Sequence, residues 1–205
     1  MDSKTEEIVN AGCELFMKYG IKSVSMDDLA SHLAMSKKTL YKYIKDKRQL
    51  VEKVVDSLLR NNKFHDNADT SSLNAVEEYF MIYRQVVNMI SQANFNAEFD
   101  LQKYYPDLYK KMLDTRQMKM MFGLKKNLEK GISEQLYRQD LDIGVIAKLN
   151  VLLGESMHDY EFLTKNKPEL LHIMKVNFDF YMHGVCAPEG LKEYNKNKEK
   201  LNIQS

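Results

Sequence analysis

Tryptophan is absent from this 205-residue chain, and cysteine, proline and glycine are scarce at two, three and eight residues. Cys13 and Cys186 stand far apart, with neither a CxxC pair nor metal-ligand spacing, which excludes a disulfide framework and a zinc module. Cys13 falls on the apolar side of a helical pattern and reads as a small core residue. So few prolines and glycines leave too few turn residues for a many-stranded β fold, and the composition is not that of a disordered chain. No stretch approaches the roughly 20 apolar residues that cross a bilayer. The first residues, Met1-Asp2-Ser3-Lys4-Thr5-Glu6-Glu7, lack the apolar core of a secretory signal. A soluble, cytoplasmic location is expected. Enzyme signatures are missing too: there is no glycine-rich phosphate loop, no HExxH and no nucleophile elbow. His32, His65, His158, His172 and His183 are scattered along the chain. Neither catalysis nor a metal or other cofactor is expected.

What is present is helical periodicity and one local concentration of positive charge. Hydrophobic residues make up 44% of the chain, enough for a packed core. The net charge is only +1, yet Lys37, Lys38, Lys42, Lys45, Lys47 and Arg48 face a single acid, Asp46, over one short stretch. A local cationic patch guides a protein to nucleic acid more effectively than its net charge does. On charge alone, a solvated helix face is an equal reading.

The patch has a scaffold. Ile8, Ala11, Gly12, Leu15, Phe16 and Tyr19 recur at helical spacing and predict a first helix with one apolar stripe, closed by Gly20. Ser25-Met26-Asp27-Asp28 has the form of a capping box, and Met26, Leu29, Ala30 and Leu33 give the second helix an inward face. After a tight turn at Ala34-Met35, Ser36 can cap a third, short helix running to Tyr43. Leu40 and Ile44, four apart, point one way and anchor it. Lys37, Lys38, Thr39, Tyr41, Lys42 and Tyr43 are left for the outward face, and such groups meet phosphate oxygens and base edges. A fourth helix after Asp46 buries Leu50, Val51, Val54, Val55, Leu58 and Leu59. Two short helices joined by a tight turn read as a helix-turn-helix, whose second helix lies in the major groove. Lys37 and Lys38, at the start of that helix, are placed for base edges.

These residues, in this order, carry a resemblance. From about Ile8 to Val55 the chain resembles the DNA-binding domain of the TetR family of transcriptional regulators. The match rests on Ala11, Phe16, Gly20, Ser25 through Ala30, Ser36, Thr39-Leu40-Tyr41-Lys42-Tyr43-Ile44, Lys47 and Leu50. It departs where the family usually has glycine and this chain has Ala34, a substitution that costs about 1 kcal/mol if φ there is positive. It also departs at Ile44, where an aromatic is usual. The resemblance implies phosphate contacts for Ser25, Thr39, Tyr41, Tyr43 and Lys47. Together with Ser36, Lys37, Lys38 and Lys42, these form the candidate DNA-binding set.

Beyond Arg60 a polar, turn-rich stretch from Asn61 to Ser71 reads as a link. Helices are predicted from about Ser72 to Gln92, Asn96 to Tyr104, Pro106 to Tyr137, Leu141 to Leu163 and Pro168 to Val185. The Lys/Asn/Glu-rich end from Gly190 reads as a frayed tail. The expected fold is all-α in two domains: a helix-turn-helix domain over 1–50 and a helical regulatory and dimerisation domain over 51–188, with a polar tail over 189–205. Resemblance to the family implies pairing as a homodimer through the last two long helices, and a small apolar or amphipathic effector among the C-terminal helices. Tyr83, Phe99, Tyr105, Met112, Phe122, His158 and Phe162 are the candidate pocket residues, with Glu98, Asp100, Arg84 and Asp159 as further polar candidates. Ordinary core packing is the competing reading of this aromatic and methionine stripe. The expected function is a DNA-binding regulator on an inverted-repeat operator, a repressor released by its effector. The alternative is a DNA-binding dimer that has no effector.

Overall fold

The computed structural model describes residues 2–60, 72–92, 96–156 and 167–200. The expected link at 61–71, and the end of the helix predicted to reach Leu163, with His158, Asp159 and Phe162, lie outside the described residues. Every regular element among those described is helical: α1 (Ser3–Tyr19), α2 (Met26–His32), α3 (Lys37–Tyr43), α4 (Lys47–Arg60), α5 (Ala75–Gln92), α6 (Asn96–Tyr104), α7 (Pro106–Ser133), α8 (Ile143–Ser156), α9 (Lys167–Val185) and α10 (Pro188–Lys200). A single antiparallel bridge joins Tyr137 and Cys186. The chain divides into two compact units, one of Met1–Asn62 with Asn94–Arg116, the other of Lys63–Ala93 with Gln117–Ser205. The boundary expected at residue 50 falls inside α4, which packs in the first unit; α6 and the start of α7 join it there.

In the first unit, Ile8, Val9, Leu29, Leu40, Ile44, Leu50 and Val51 are almost fully buried in one core, which Leu101, Leu108 and Met112 of α6 and α7 complete. Asp2 starts α1 by accepting from the Thr5 N–H at 3.0 Å and the Thr5 hydroxyl at 2.6 Å. The predicted stripe of α1 holds except at its end, where Tyr19 is exposed. Leu58 of α4 is likewise exposed rather than buried, since it lies in the last turn, past the core residues Val54 and Val55. The loop after α1 is fixed from outside its own sequence neighbourhood. The buried carboxylate of Asp100 on α6 accepts from the Lys22 N–H at 2.7 Å.

The turn between α2 and α3 closes as a Schellman motif. The Met35 N–H donates to the Ala30 carbonyl and the Ala34 N–H to the Ser31 carbonyl. That geometry needs a left-handed residue, and Ala34 takes it with φ of 49°.

The second unit is built on aromatic packing. Phe178 of α9 stacks with Tyr83 at 4.1 Å between ring centroids and meets Phe80 edge-on at 4.9 Å. Tyr137 is fully buried, and its hydroxyl donates to the Ala75 carbonyl (3.2 Å) and to Asn127 Oδ1 (3.1 Å). Two glycines allow close approach in this region. A Cβ on Gly131 would lie 2.1 Å from the Tyr137 ring, and one on Gly190 would lie 1.9 Å from the Leu136 carbonyl oxygen. α7 ends at Ser133, earlier than predicted, because Gln135 (φ 60°) turns the chain so that Tyr137 folds back onto the helix. Phe122, predicted to face inward on α7, is 70% exposed. The residues from 189 to 200, expected to belong to a frayed tail, lie in α10 instead. Tyr194 is the reason: it is buried, stacks on Phe80 and donates to Asp179 at 2.6 Å, while Lys198 pairs with the same carboxylate. Those two hydrogen bonds, the lysine's first, hold the Asp179 carboxyl below its ordinary range.

The strain at Ala34 gives a direct test. Ala34→Gly removes a Cβ from a left-handed position and is expected to stabilise the protein by about 1 kcal/mol, a rise in Tm of roughly 2–4 °C. A lowered Tm in thermal unfolding would show that this turn relaxes in solution.

Candidate nucleic-acid interface

α3 is only seven residues long, so its shape comes from its cap and its anchors. Ser36 sits extended at the N-cap and its hydroxyl accepts from the Thr39 N–H at 3.1 Å. The Ser36 and Thr39 hydroxyls are also bonded to each other at 2.8 Å. Leu40 and Ile44 are completely buried. With these fixed, the opposite side of the helix is presented to solvent. Lys37, Lys38, Lys42 and Ser36 are exposed, and Tyr41 and Tyr43 are 48% and 37% exposed. Thr39 is half-buried beside its cap.

The cations of this face are not equivalent. Lys37 Nζ lies 2.5 Å from Asp27 Oδ2, an ion pair between the first turns of α3 and α2. The Asp27 hydrogen bond raises the Lys37 pKa. Lys38 and Lys42 are in no ion pair among the described residues. Lys47 starts α4, is half-buried and donates from Nζ to the Lys22 carbonyl at 3.3 Å. Burial lowers its pKa, and the charges of Asp100 and Asp28 work against that shift. Ser25 closes a full capping box: its oxygen accepts from the Asp28 N–H (3.1 Å), and Asp28 Oδ2 accepts from the Ser25 N–H (2.7 Å) and hydroxyl (2.6 Å). Those bonds hold the Asp28 carboxyl below its ordinary range, the hydroxyl's contribution coming first. The nine candidate contact residues therefore lie on α3, its cap, and the starts of α2 and α4, all in one unit.

The described candidate pocket residues are divided between the two units. Phe99, Tyr105 and Met112 belong to the first unit, where Met112 is in the core and Tyr105 packs against it. Tyr83 belongs to the second unit, stacked on Phe178, and Phe122 is exposed there. His158 and Phe162 lie outside the described residues. Of the polar candidates, Asp100 is engaged with Lys22, and Glu98 is 3.5 Å from Arg116. The sequence gives no signal for the Lys37–Asp27 pair or for the Asp100 tie, because each joins residues of different helices.

The sequence profile of bacterial regulatory proteins of the tetR family matches residues 8–54, the span that contains this face. Residues 8–54 of this chain are thus similar to the tetR-family regulatory proteins. A relative from Bacillus subtilis (strain 168), the uncharacterized HTH-type transcriptional regulator YvaF, is 34% identical over 89 residues, 42% of this chain. The match spans about half of that relative's length (47%). Two solved structures share the fold at low identity. A transcriptional regulator from Cytophaga hutchinsonii ATCC 33406 aligns with a TM-score of 0.68 at 20% identity, over 91% of this chain and 100% of that one. A gamma-butyrolactone receptor (ArpA-like protein) aligns with a TM-score of 0.63 at 14% identity, over the whole of both chains.

The cap of α3 has a measurable worth. Ser36→Ala is expected to destabilise the domain by about 1 kcal/mol. Amide hydrogen exchange across residues 38–43 should quicken; unchanged protection there would mean that Leu40 and Ile44 hold the helix without its cap.

Proposed function

We propose that the protein is a homodimeric transcriptional regulator that reads an inverted-repeat operator with α3 and is released by a small effector. The observation that carries the reading is the outward face of α3, where Lys38, Tyr41, Lys42 and Tyr43 are exposed around a helix pinned by Leu40 and Ile44. Lys38 is assigned to base edges, since it stands near the helix start and no carboxylate among the described residues holds it. Lys37 is assigned there too, but must first leave Asp27. Tyr41, Tyr43, Thr39, Ser25, Ser36, Lys42 and Lys47 are assigned to the phosphate backbone, where hydroxyls and ammoniums position a duplex without reading it. The DNA-reading part is assigned to residues 1–50 and the regulatory part to the helices that follow.

Pairing is supported by apolar side chains left in solvent on the second unit. Val145, Leu149, Leu152 and Leu153 recur along α8 at 45–52% exposure, and Val176 and Phe180 of α9 are 54% and 78% exposed. Large apolar groups grouped this way mark a surface that another protein covers, and a second copy satisfies it with two-fold symmetry. Release by an apolar or amphipathic effector rests on kinship with the family and on the fold shared with a gamma-butyrolactone receptor. Tyr83 is the described residue of the second unit proposed to meet it, with His158 and Phe162. Such an effector must favour one spacing of the two reading helices, or it would shift nothing. Repression, rather than activation, is the family habit.

Selection of bound sequences from random duplex DNA is expected to return an inverted repeat, and Lys38→Ala should change the bases selected. A single, unrepeated site, or no enrichment, would overturn the reading. Phe180→Glu is expected to leave the helical content intact, give a monomer by sedimentation and lose affinity for the selected repeat. A charged variant that still sediments as a dimer would move the interface elsewhere.

A further inference from the structure

A second group of cations lies beside Lys47, outside the helix-turn-helix. Lys47 Nζ donates to the carbonyl of Lys22 at 3.3 Å, so the start of α4 and the loop after α1 touch. The Lys22 side chain leads onward from that contact: its Nζ sits over the ring of Tyr104, 5.5 Å from the centroid. Lys103 Nζ is 5.6 Å from the centroid of the same ring and 5.5 Å from that of Phe99. Lys22 and Lys103 are exposed, and Tyr104 is 40% exposed. Neither ammonium is in an ion pair among the described residues. The nearest buried acid, Asp100, spends an oxygen on the Lys22 backbone N–H, which fixes the loop that carries the lysine. All these residues lie within one unit.

The arrangement is unusual in what it leaves undone. Two like charges gathered around one phenol ring repel each other, and an exposed cation–π contact returns only about 0.5–1 kcal/mol. An anion bridging the two ammoniums would relieve the repulsion, and the phenol hydroxyl is a further donor for it. A duplex offers a row of phosphates, and the row of Lys47, Lys22 and Lys103 runs from the proposed DNA face onto the C-terminal end of α6.

We propose that Lys22, Lys103 and Tyr104 form a flanking contact with the DNA backbone, continuous with Lys47, in which a phosphate is held between the two ammoniums beside the phenol. This rests on the DNA-binding reading above. The contact adds affinity and reach along the duplex without adding sequence information.

The test is the salt dependence of binding by the full chain to random-sequence duplex DNA of about 40 bp, titrated between about 50 and about 300 mM KCl. Lys22→Ala/Lys103→Ala is expected to reduce the slope of log K against log salt by roughly one for each lysine removed per bound copy. Tyr104→Leu should weaken binding while leaving the slope near the wild-type value. Lys192→Ala/Lys196→Ala, on exposed lysines of α10, should leave both unchanged. Wild-type protein that fails to bind the duplex would overturn the DNA reading and this contact together. Normal wild-type binding with an unchanged slope in the Lys22/Lys103 variant overturns the contact alone. So does an equal fall in slope for the α10 variant, which would mark a diffuse field. A Lys22/Lys103 variant that loses only thermal stability, with DNA binding intact, would reduce the cluster to intramolecular packing.

Discussion

The burial of Leu40 and Ile44 is the constraint on which the functional face depends. A helix of seven residues forms no stable structure in water by itself, because nucleation is unfavourable and too few hydrogen bonds follow it. Full burial of a leucine or isoleucine side chain contributes about 1.5–3 kcal/mol each, which is enough to outweigh that deficit. The core supplied by α1, α2 and α4 accepts both side chains, at 0% exposure, so the helix is held by its underside alone. Its outer side is then unconstrained by folding and can carry lysines and tyrosines that no core would tolerate. The left-handed Ala34 belongs to the same economy of space: the turn is kept tight at some cost in backbone strain, so that α3 starts where its anchors reach the core.

Electrostatics then sorts the cations that the core leaves outside. At a net charge of +1, the chain has no global attraction for a polyanion. What attraction there is must be local, and the acids nearest the face are already occupied. Asp28 is held in the Ser25 capping box and Asp27 against Lys37. Asp27 is thus offset by Lys37, while Asp28 fixes the first turn of α2 and keeps its charge. Lys37 carries a competing partner, whereas Lys38 has none among the described residues, so the two adjacent lysines differ in how freely either could make the proposed base contact. Exposed pairs such as Lys37–Asp27 are worth little in high-dielectric solvent, so the pair is only a weak competitor for the proposed DNA contact.

Much of this could be read from the chain before any coordinates, and the parts that could not have physical reasons. Helix positions followed from periodicity, the caps at Ser25 and Ser36 from residue type, and the outward residues of α3 from the placement of Leu40 and Ile44. The strained turn was signalled by alanine standing where the family usually has glycine. By contrast, α7 misled at Phe122. A helix of 28 residues passes from one set of neighbours to another, so a single inward stripe cannot be extrapolated along it. α10 misled in the opposite sense, being polar enough to look unfolded. A few anchors suffice for it, chiefly buried Tyr194 and the shared carboxylate of Asp179, and composition does not register a few anchors. Ties between distant segments, Asp100 to Lys22 and Asp27 to Lys37, leave no pattern in one sequence at all.

The small size of the proposed reading helix bears on why the proposed regulator would be a dimer. Specific sites are typically bound about 4–10 kcal/mol more tightly than random DNA, and a good bidentate base contact supplies about 1–3 kcal/mol of discrimination. On α3 only Lys37 and Lys38 stand at the helix start, and Lys37 is partly committed to Asp27. One copy, with two such contacts at most, therefore reaches only the lower part of that range, whatever its phosphate contacts add to affinity. Doubling the helix doubles the base contacts, and exposed Leu149 and Phe180 provide apolar surface through which two copies can be joined. The same arithmetic would give the proposed effector its leverage. When specificity depends on two short helices meeting two half-sites at once, a change in their spacing removes half of the base contacts without altering either reading face.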